Sequence, residues 1–209
     1  QITDELLGAV PHAFRTGANS VLLTALSVAL ARWRRNKQTW TLVEMEGHGR
    51  ETRFVPGPQG READLSRTVG WFTCLYPMLI DPTRAALQED SAAAKGHIAP
   101  LALALNTVKD QLAAIPGNGV PYQAHTWLHQ SAKTPPQAQV LFNYLGRVSA
   151  GAQDFAPAGS TGQLGEQRDP DQPLVRELEF NAIAEDTGEG YVLRTTISWA
   201  RGRISPERI

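Results

Sequence analysis

Apolar and polar positions change period several times along this chain, and the changes mark its elements. From Val21 to Arg35 the spacing is helical: Leu22, Ala25, Leu26, Ala29 and Trp33 share one face, and Thr24, Ser27 and Arg34 another, with the small Ala31 between them. Asn19 or Ser20 is the expected cap, and Arg32, Arg34 and Arg35 suit the C-terminal end of the helix dipole. Ahead of it, Thr3 to Phe14 reads as a shorter helix, capped by Thr3, with Asp4 and Glu5 in its first turn and Pro11 ending or kinking it. Gln38 to Glu46 reads as a strand, rich in Thr, Trp, Leu and Val. The β-branched and aromatic content from Thr73 to Ile80 predicts a second, buried strand, in which Pro77 calls for an edge or a bulge. Residues 83–115 read as mostly helical, with a stripe of Leu103, Leu105, Val108, Leu112 and Ile115. The turn-rich run Pro116 to Pro121 ends that region. His125 to Gln130 reads as a short helix and Gln137 to Leu145 as a strand. Near the end, Leu178, Phe180 and Ala182 alternate with Glu177, Glu179 and Asn181. Tyr191, Leu193, Thr195, Ile197 and Trp199 then alternate with Val192, Arg194, Thr196 and Ser198, which predicts an antiparallel hairpin turned at Glu185 to Gly190. Residues 54–63 and 148–173 are rich in turn formers and predict exposed connections, the second a long surface loop.

Composition narrows the class. With 209 residues, 42% hydrophobic and 20% charged, the chain suits one globular domain or one large subdomain. A formal net charge of −1 gives no reason to expect nucleic acid or a membrane as partner. One cysteine, Cys74, excludes an internal disulfide and fits a reducing, cytoplasmic compartment. No apolar run approaches the roughly 18 residues of a membrane span, and no basic-then-apolar leader opens the chain. It begins at Gln1, already in helix-like sequence, which suggests a piece of a longer polypeptide.

The densest chemistry lies at the end of the first strand, in Glu44-Met45-Glu46-Gly47-His48-Gly49-Arg50-Glu51. Two glycines let the backbone turn sharply or lie close to a ligand, and ionisable groups at a strand end are common in active sites. Glu46, directly before a glycine, can exchange a proton with carbon if partly desolvated; Glu44 shares its strand parity and is a rival. His48 can act as an acid or base, or can hydrogen-bond the backbone and hold the loop's shape. Arg50 can pair with Glu51, Glu46 or Glu44 as an anchor. Asn143 and Tyr144 present an amide and a hydroxyl at the end of another strand. Three other motifs fail. Gly47-His48-Gly49 lacks the Gly-Lys-Ser/Thr of a phosphate loop, and His125 and His129 lack the glutamate and third ligand of a zinc protease. Ser160 has no nucleophile elbow around it. No metal site is expected.

Five stretches, in order, resemble the epimerization domains of nonribosomal peptide synthetases. Asp4-Glu5-Leu6-Leu7-Gly8-Ala9 is similar to an Asp-x-Leu-Leu-x-Ala segment, and Glu46-Gly47-His48-Gly49-Arg50-Glu51 to a signature of that family. Arg67-Thr68-Val69-Gly70-Trp71-Phe72-Thr73 with Tyr76-Pro77, and Phe142-Asn143-Tyr144-Leu145-Gly146, match two more. Pro116 to Tyr122 resembles the family's Pro-x-x-Gly-x-Gly-Tyr-Gly, but Pro121 and Gln123 stand where glycines are usual. Condensation domains of the same superfamily carry a different Phe-x-Asn run, absent here. The family's His-His-x-x-x-Asp-Gly motif is also absent, so residues 1–209 are expected to be the C-terminal lobe of a two-lobed domain.

The resemblance implies an α/β fold: a two-layer sandwich lobe similar to chloramphenicol acetyltransferase, with helices packed on a mixed sheet. It implies inversion, L to D, of the α-carbon of an aminoacyl or peptidyl thioester. The phosphopantetheine arm of a partner carrier domain holds that thioester, and this chain itself binds no cofactor. The implied site residues are Glu46 and Tyr144 as catalytic groups, with Asn143, Arg50 and His48 in support and Trp71, Thr73 and Tyr76 as cleft wall. The expected partners are the N-terminal lobe of the same domain and the carrier domain, and this lobe alone is expected to be inactive. The alternatives are a non-catalytic lobe that docks a carrier domain and a condensation-type acyl-transfer lobe.

Overall fold

A computed structural model of the chain describes residues 2–34, 38–82, 98–128, 137–148 and 172–209. They fall into two compact units, one made of residues 20–138 and the other of residues 1–19 with 139–209.

The first unit is built on an antiparallel pair, β1 (Thr41–Gly47) and β2 (Cys74–Ile80). Their alternation explains the pairing. Thr41, Val43 and Met45 are buried on β1, and Cys74, Tyr76, Met78 and Ile80 on β2. The register sets these against one another: Thr41 faces Ile80, Val43 faces Met78, Met45 faces Tyr76, and Gly47 faces Cys74. A slip of one residue would turn every buried side chain to the other face, so burial fixes the register. Three helices complete the unit: α3 (Ala18–Arg34), α4 (Ile98–Ala113) and α5 (Val120–Leu128), numbered after two short N-terminal segments described below. Helices α4 and α5 pack against β2, and α3 meets α4 through Val28 and Ala104. Arg34, in the last turn of α3, donates to the Trp40 carbonyl (3.0 Å) and to Thr41 Oγ1 (2.8 Å), and so fastens the start of β1.

On the side of β2 away from β1, backbone donors meet side chains of the described helices. The Leu75 N–H donates to Gln123 Oε1 of α5 (3.2 Å) and the Asp81 N–H to Gln111 Oε1 of α4 (3.4 Å). Pro77, which has the same parity, has no N–H to offer.

The second unit holds a mixed sheet. β3 (Val140–Val148) runs parallel to β4 (Leu178–Asp186), and β4 pairs antiparallel with β5 (Tyr191–Trp199). The β4–β5 hairpin is the expected one, closed by the Thr187 N–H on the Gly190 carbonyl and the Gly188 N–H on Asp186 Oδ1. Leu178, Ala182 and Ala184 are buried as the alternation requires. Glu179 is buried as well, although its parity predicts an outward position; it lies on the middle strand, opposite Leu141 and Ser198. The N-terminal residues pack on β5, where the Leu193 N–H donates to Thr3 Oγ1 (3.4 Å).

Several expectations need correction. Thr3 lies inside α1 (Ile2–Asp4) and is not a cap. The helix expected over Thr3 to Phe14 is present, running through a π-turn at Glu5–Ala9 into α2 (Val10–Ala13), which stops two residues past Pro11. Pro11 sits in the first turn after the π segment, where its missing N–H costs least. The carbonyl four residues back, that of Leu7, accepts instead from Arg147 Nη2. The buried face of α3 is also rotated from the expected one. Ser20, Thr24, Ser27, Val28 and Ala31 are buried, while Ala25 and Ala29 are exposed. The Thr24 hydroxyl donates to the Ser20 carbonyl (2.7 Å) and the Ser27 hydroxyl to the Thr24 carbonyl (2.8 Å), so both can be buried with their polar atoms satisfied. Helix α5 starts at Val120 rather than His125, with Pro121 in its first turn. The expected 148–173 loop lies almost wholly outside the described residues, as do residues 83–97 of the expected helical region.

Candidate functional site

β1 delivers Glu46 at its last position before Gly47, on the parity of Leu42 and Glu44 and opposite Leu75 of β2. All three side chains on this parity are half-buried, whereas Thr41, Val43 and Met45 on the other are buried. The Glu46 carboxylate therefore lies half-covered on the face of β1 opposite the buried Thr41, Val43 and Met45. Glu44, one step deeper, lies opposite Pro77.

The turn that follows has little freedom. Gly49 has φ of 63°, and a Cβ there would come within 1.6 Å of the Phe72 carbonyl oxygen, so no side chain fits. His48 Nδ1 accepts the Arg50 N–H (3.0 Å), which leaves the ring proton on Nε2, 3.6 Å from Glu51 Oε1. The imidazole thus spans its own loop and is exposed. Arg50 reaches across to the 65–72 segment. Its Nη1 donates to the carbonyls of Leu65 (2.8 Å) and Thr68 (2.9 Å), and its guanidinium lies over the Phe72 ring at 4.2 Å. It anchors the 65–72 segment to the Glu46 loop. Glu51 is enclosed, its side chain only 14% exposed, and gathers Asn118 Nδ2 (2.5 Å) and Arg53 Nε (3.6 Å) beside His48.

Behind the turn, Cys74 and Tyr76 of β2 form the floor. The Cys74 thiol donates to the Asn118 carbonyl (3.3 Å), and burial raises its pKa; burial likewise raises that of the Tyr76 phenol. Tyr76 is buried beneath Gly119, whose φ is 87° and where a Cβ would strike the ring at 1.9 Å. Of the residues expected to wall the cleft, Trp71 is 90% exposed, Thr73 half-buried and Tyr76 interior.

Asn143 and Tyr144 belong to the other unit. Both are half-buried on β3, where they lie opposite Asn181 and Ala182. One extra residue in β3 between Tyr144 and Arg147 makes a bulge, so that Arg147 pairs with Ala184 and returns to Tyr144's face. Burial raises the Tyr144 phenol, and the charge and hydrogen bond of Arg147 pull it back down. Arg147 also stacks over the Tyr191 ring at 5.2 Å.

Sequence reasoning passed over the enclosed position of Glu51 and the parts played by Asn118, Arg147 and Gln123. A signal was available for two of them. Asn between two glycines marks a left-handed turn, and a glycine inside a strand pattern, here Gly146 beside Arg147, marks a bulge. Gln123, a departure from the resembled motif, supplies the acceptor for the Leu75 N–H. Among the described residues no group of three or more His, Cys, Asp and Glu could hold a metal, and no single helix is long and apolar enough to cross a membrane.

The condensation-domain family model matches residues 3–195. This chain belongs to the condensation-domain family. Tyrocidine synthase 2 of Brevibacillus parabrevis is 34% identical over 208 residues, covering 95% of this condensation-family chain and 5% of the synthase. The solved epimerization domain from the third module of tyrocidine synthetase B superposes with a TM-score of 0.70 at 27% identity, over 99% of this chain and 41% of that one. The first condensation domain of the CDA synthetase is similar in fold alone, with a TM-score of 0.53 at 13% identity over 98% and 39% of the two chains. The α/β fold with a mixed sheet is thus that of condensation and epimerization domains. This condensation-family chain spans a small part of the synthase it matches and less than half of the solved epimerization domain.

Proposed function

We propose that this chain is the C-terminal lobe of an epimerization domain, and that the complete domain inverts the α-carbon of an aminoacyl or peptidyl thioester. The carrying observation is the likeness to the solved epimerization domain over 99% of the chain, at about twice the identity found with the condensation domain. The residues at the end of β1 suit that chemistry. A thioester acidifies its α-hydrogen because the anion spreads into an enolate. Inversion needs one group to take the proton from one face and another to return a proton to the opposite face. Glu46, half-buried on a strand end and followed by a locked turn, serves as one of the two. The second comes from the preceding lobe, whose histidine motif this chain lacks. Tyr144 keeps the catalytic role that the resemblance gives it, and Asn143 the supporting one. The substrate arrives on the phosphopantetheine arm of a carrier domain.

Glu46→Gln in the complete domain tests this directly. The substitution keeps size and hydrogen-bonding capacity but cannot take the proton. Deuterium uptake at the α-carbon from heavy water is expected to fall by about 100-fold or more. Uptake close to that of the parent would return Glu46 to a structural role.

A further inference from the structure

One residue of the 116–119 turn touches the Glu46 loop at both ends. Gly47 immediately follows Glu46, and the Asn118 carbonyl oxygen lies only 2.9 Å from where a Gly47 Cβ would stand. That same oxygen accepts the Cys74 thiol at 3.3 Å, so it is held against the β1–β2 pair. At the far end of the loop the Asn118 amide donates to Glu51 Oε1 at 2.5 Å. Glu51 is in turn flanked by His48 Nε2 and Arg53 Nε, each at 3.6 Å. The turn presenting Asn118 is itself rigid. Gly117, Asn118 and Gly119 all take positive φ (54°, 48° and 87°), a conformation that asparagine adopts more readily than most side-chain-bearing residues. The Phe54 ring packs against Gly117, where a Cβ would meet it at 2.5 Å.

We propose that Asn118 is a positioning residue for Glu46. Its backbone sets where the loop leaves β1, and its amide sets where the loop ends at Glu51, so that the carboxylate between β1 and the turn is held in one direction. Proton transfer to carbon is sensitive to such aim, since a displacement of about 1 Å costs on the order of 100-fold in rate. The proposal rests on the epimerase reading of Glu46, and its test separates the two.

The experiment uses the complete domain with a loaded carrier domain, and measures kcat and KM for α-proton exchange beside thermal unfolding. Asn118→Gly deletes the amide but keeps both the left-handed backbone and the carbonyl that meets Cys74. Its kcat is expected to fall about 10- to 100-fold, with KM for the carrier hardly changed. Glu51→Ala, which also releases His48 and Arg53, should lose at least as much, and the double variant no more than Glu51→Ala, because the Asn118 contact is already gone in it. Glu51→Gln, which still offers an acceptor to the Asn118 amide, should recover most of the loss. If Asn118→Gly does not fold, Asn118→Asp replaces it: it tolerates the same backbone and sets a carboxylate against Glu51. Parental kcat in a folded Asn118 variant, or losses that multiply in the double, would overturn the proposal. A Glu46→Gln variant with normal exchange would overturn the reading beneath it, whereas an inactive Glu46→Gln beside an active Asn118→Gly removes only the role of Asn118.

Discussion

Cys74 faces Gly47 across the β1–β2 pair, and burial lifts its thiol above the ordinary value of 9.0. The sign of the consequence follows from linkage. A thiol that holds its proton more tightly when folded contributes stability in full below the unfolded pKa, and that stability is lost as pH rises through the folded one. Tyr76 acts in the same direction from its ordinary 10.0. Urea unfolding midpoints are therefore expected to be level near neutrality and to decline above about pH 9, with Cys74→Ala delaying the decline into the range of Tyr76. An identical decline in Cys74→Ala would show that the thiol is not responsible. At this scale the sequence was partly readable. Glu46, His48 and Arg50 stand out because they crowd one strand end. Asn118 and Glu51 do not, because their contact joins residues 67 positions apart and carries no local spacing. Arg50 was readable as an anchor, but its partners are backbone carbonyls, which a search for opposite charges misses.

Among the elements, the bulge in β3 matters most for the second unit. Without the extra residue, Tyr144 and Arg147 would point to opposite faces of the strand. With it, Arg147 reaches both the Tyr144 hydroxyl and the Leu7 carbonyl that Pro11 leaves without a helical donor. Arg147→Met keeps the stem and loses both bonds. It is expected to destabilise the chain by about 1–3 kcal/mol, with amide exchange rising first through Glu5–Ala13. Unchanged protection there would mean that the guanidinium does not hold the segment. Strands were legible because their period of two is matched by burial, residue against residue, in β1 and β2. Helix α3 was legible in kind but not in orientation. Its buried face carries Thr24 and Ser27, whose hydroxyls are silenced by carbonyls of their own helix, and a hydrophobic count cannot see that. The helix through Pro11 was legible, but the π-turn before it was not, since the Arg147 that meets the Leu7 carbonyl lies 140 residues away.

At the scale of the whole molecule, the chain covers 41% of the solved epimerization domain it resembles, and a two-sided proton transfer needs a second group. Offered a loaded carrier domain by itself, this chain is expected to give α-deuterium uptake no higher than background, and the complete domain to give catalytic uptake. Sustained exchange by the chain alone would place both proton carriers within residues 1–209. A different consequence follows from the open side of β2. A strand that ends a sheet usually offers a row of donors on which another chain can build. Here Gln123 occupies the donor of Leu75, Gln111 occupies that of Asp81, and Pro77 has none, while Leu79, of the same parity, keeps its N–H on that side. The run of outward donors along β2 is thereby broken on both sides of Leu79, which leaves another strand no continuous ladder to build on beside the exposed Leu75 and Leu79.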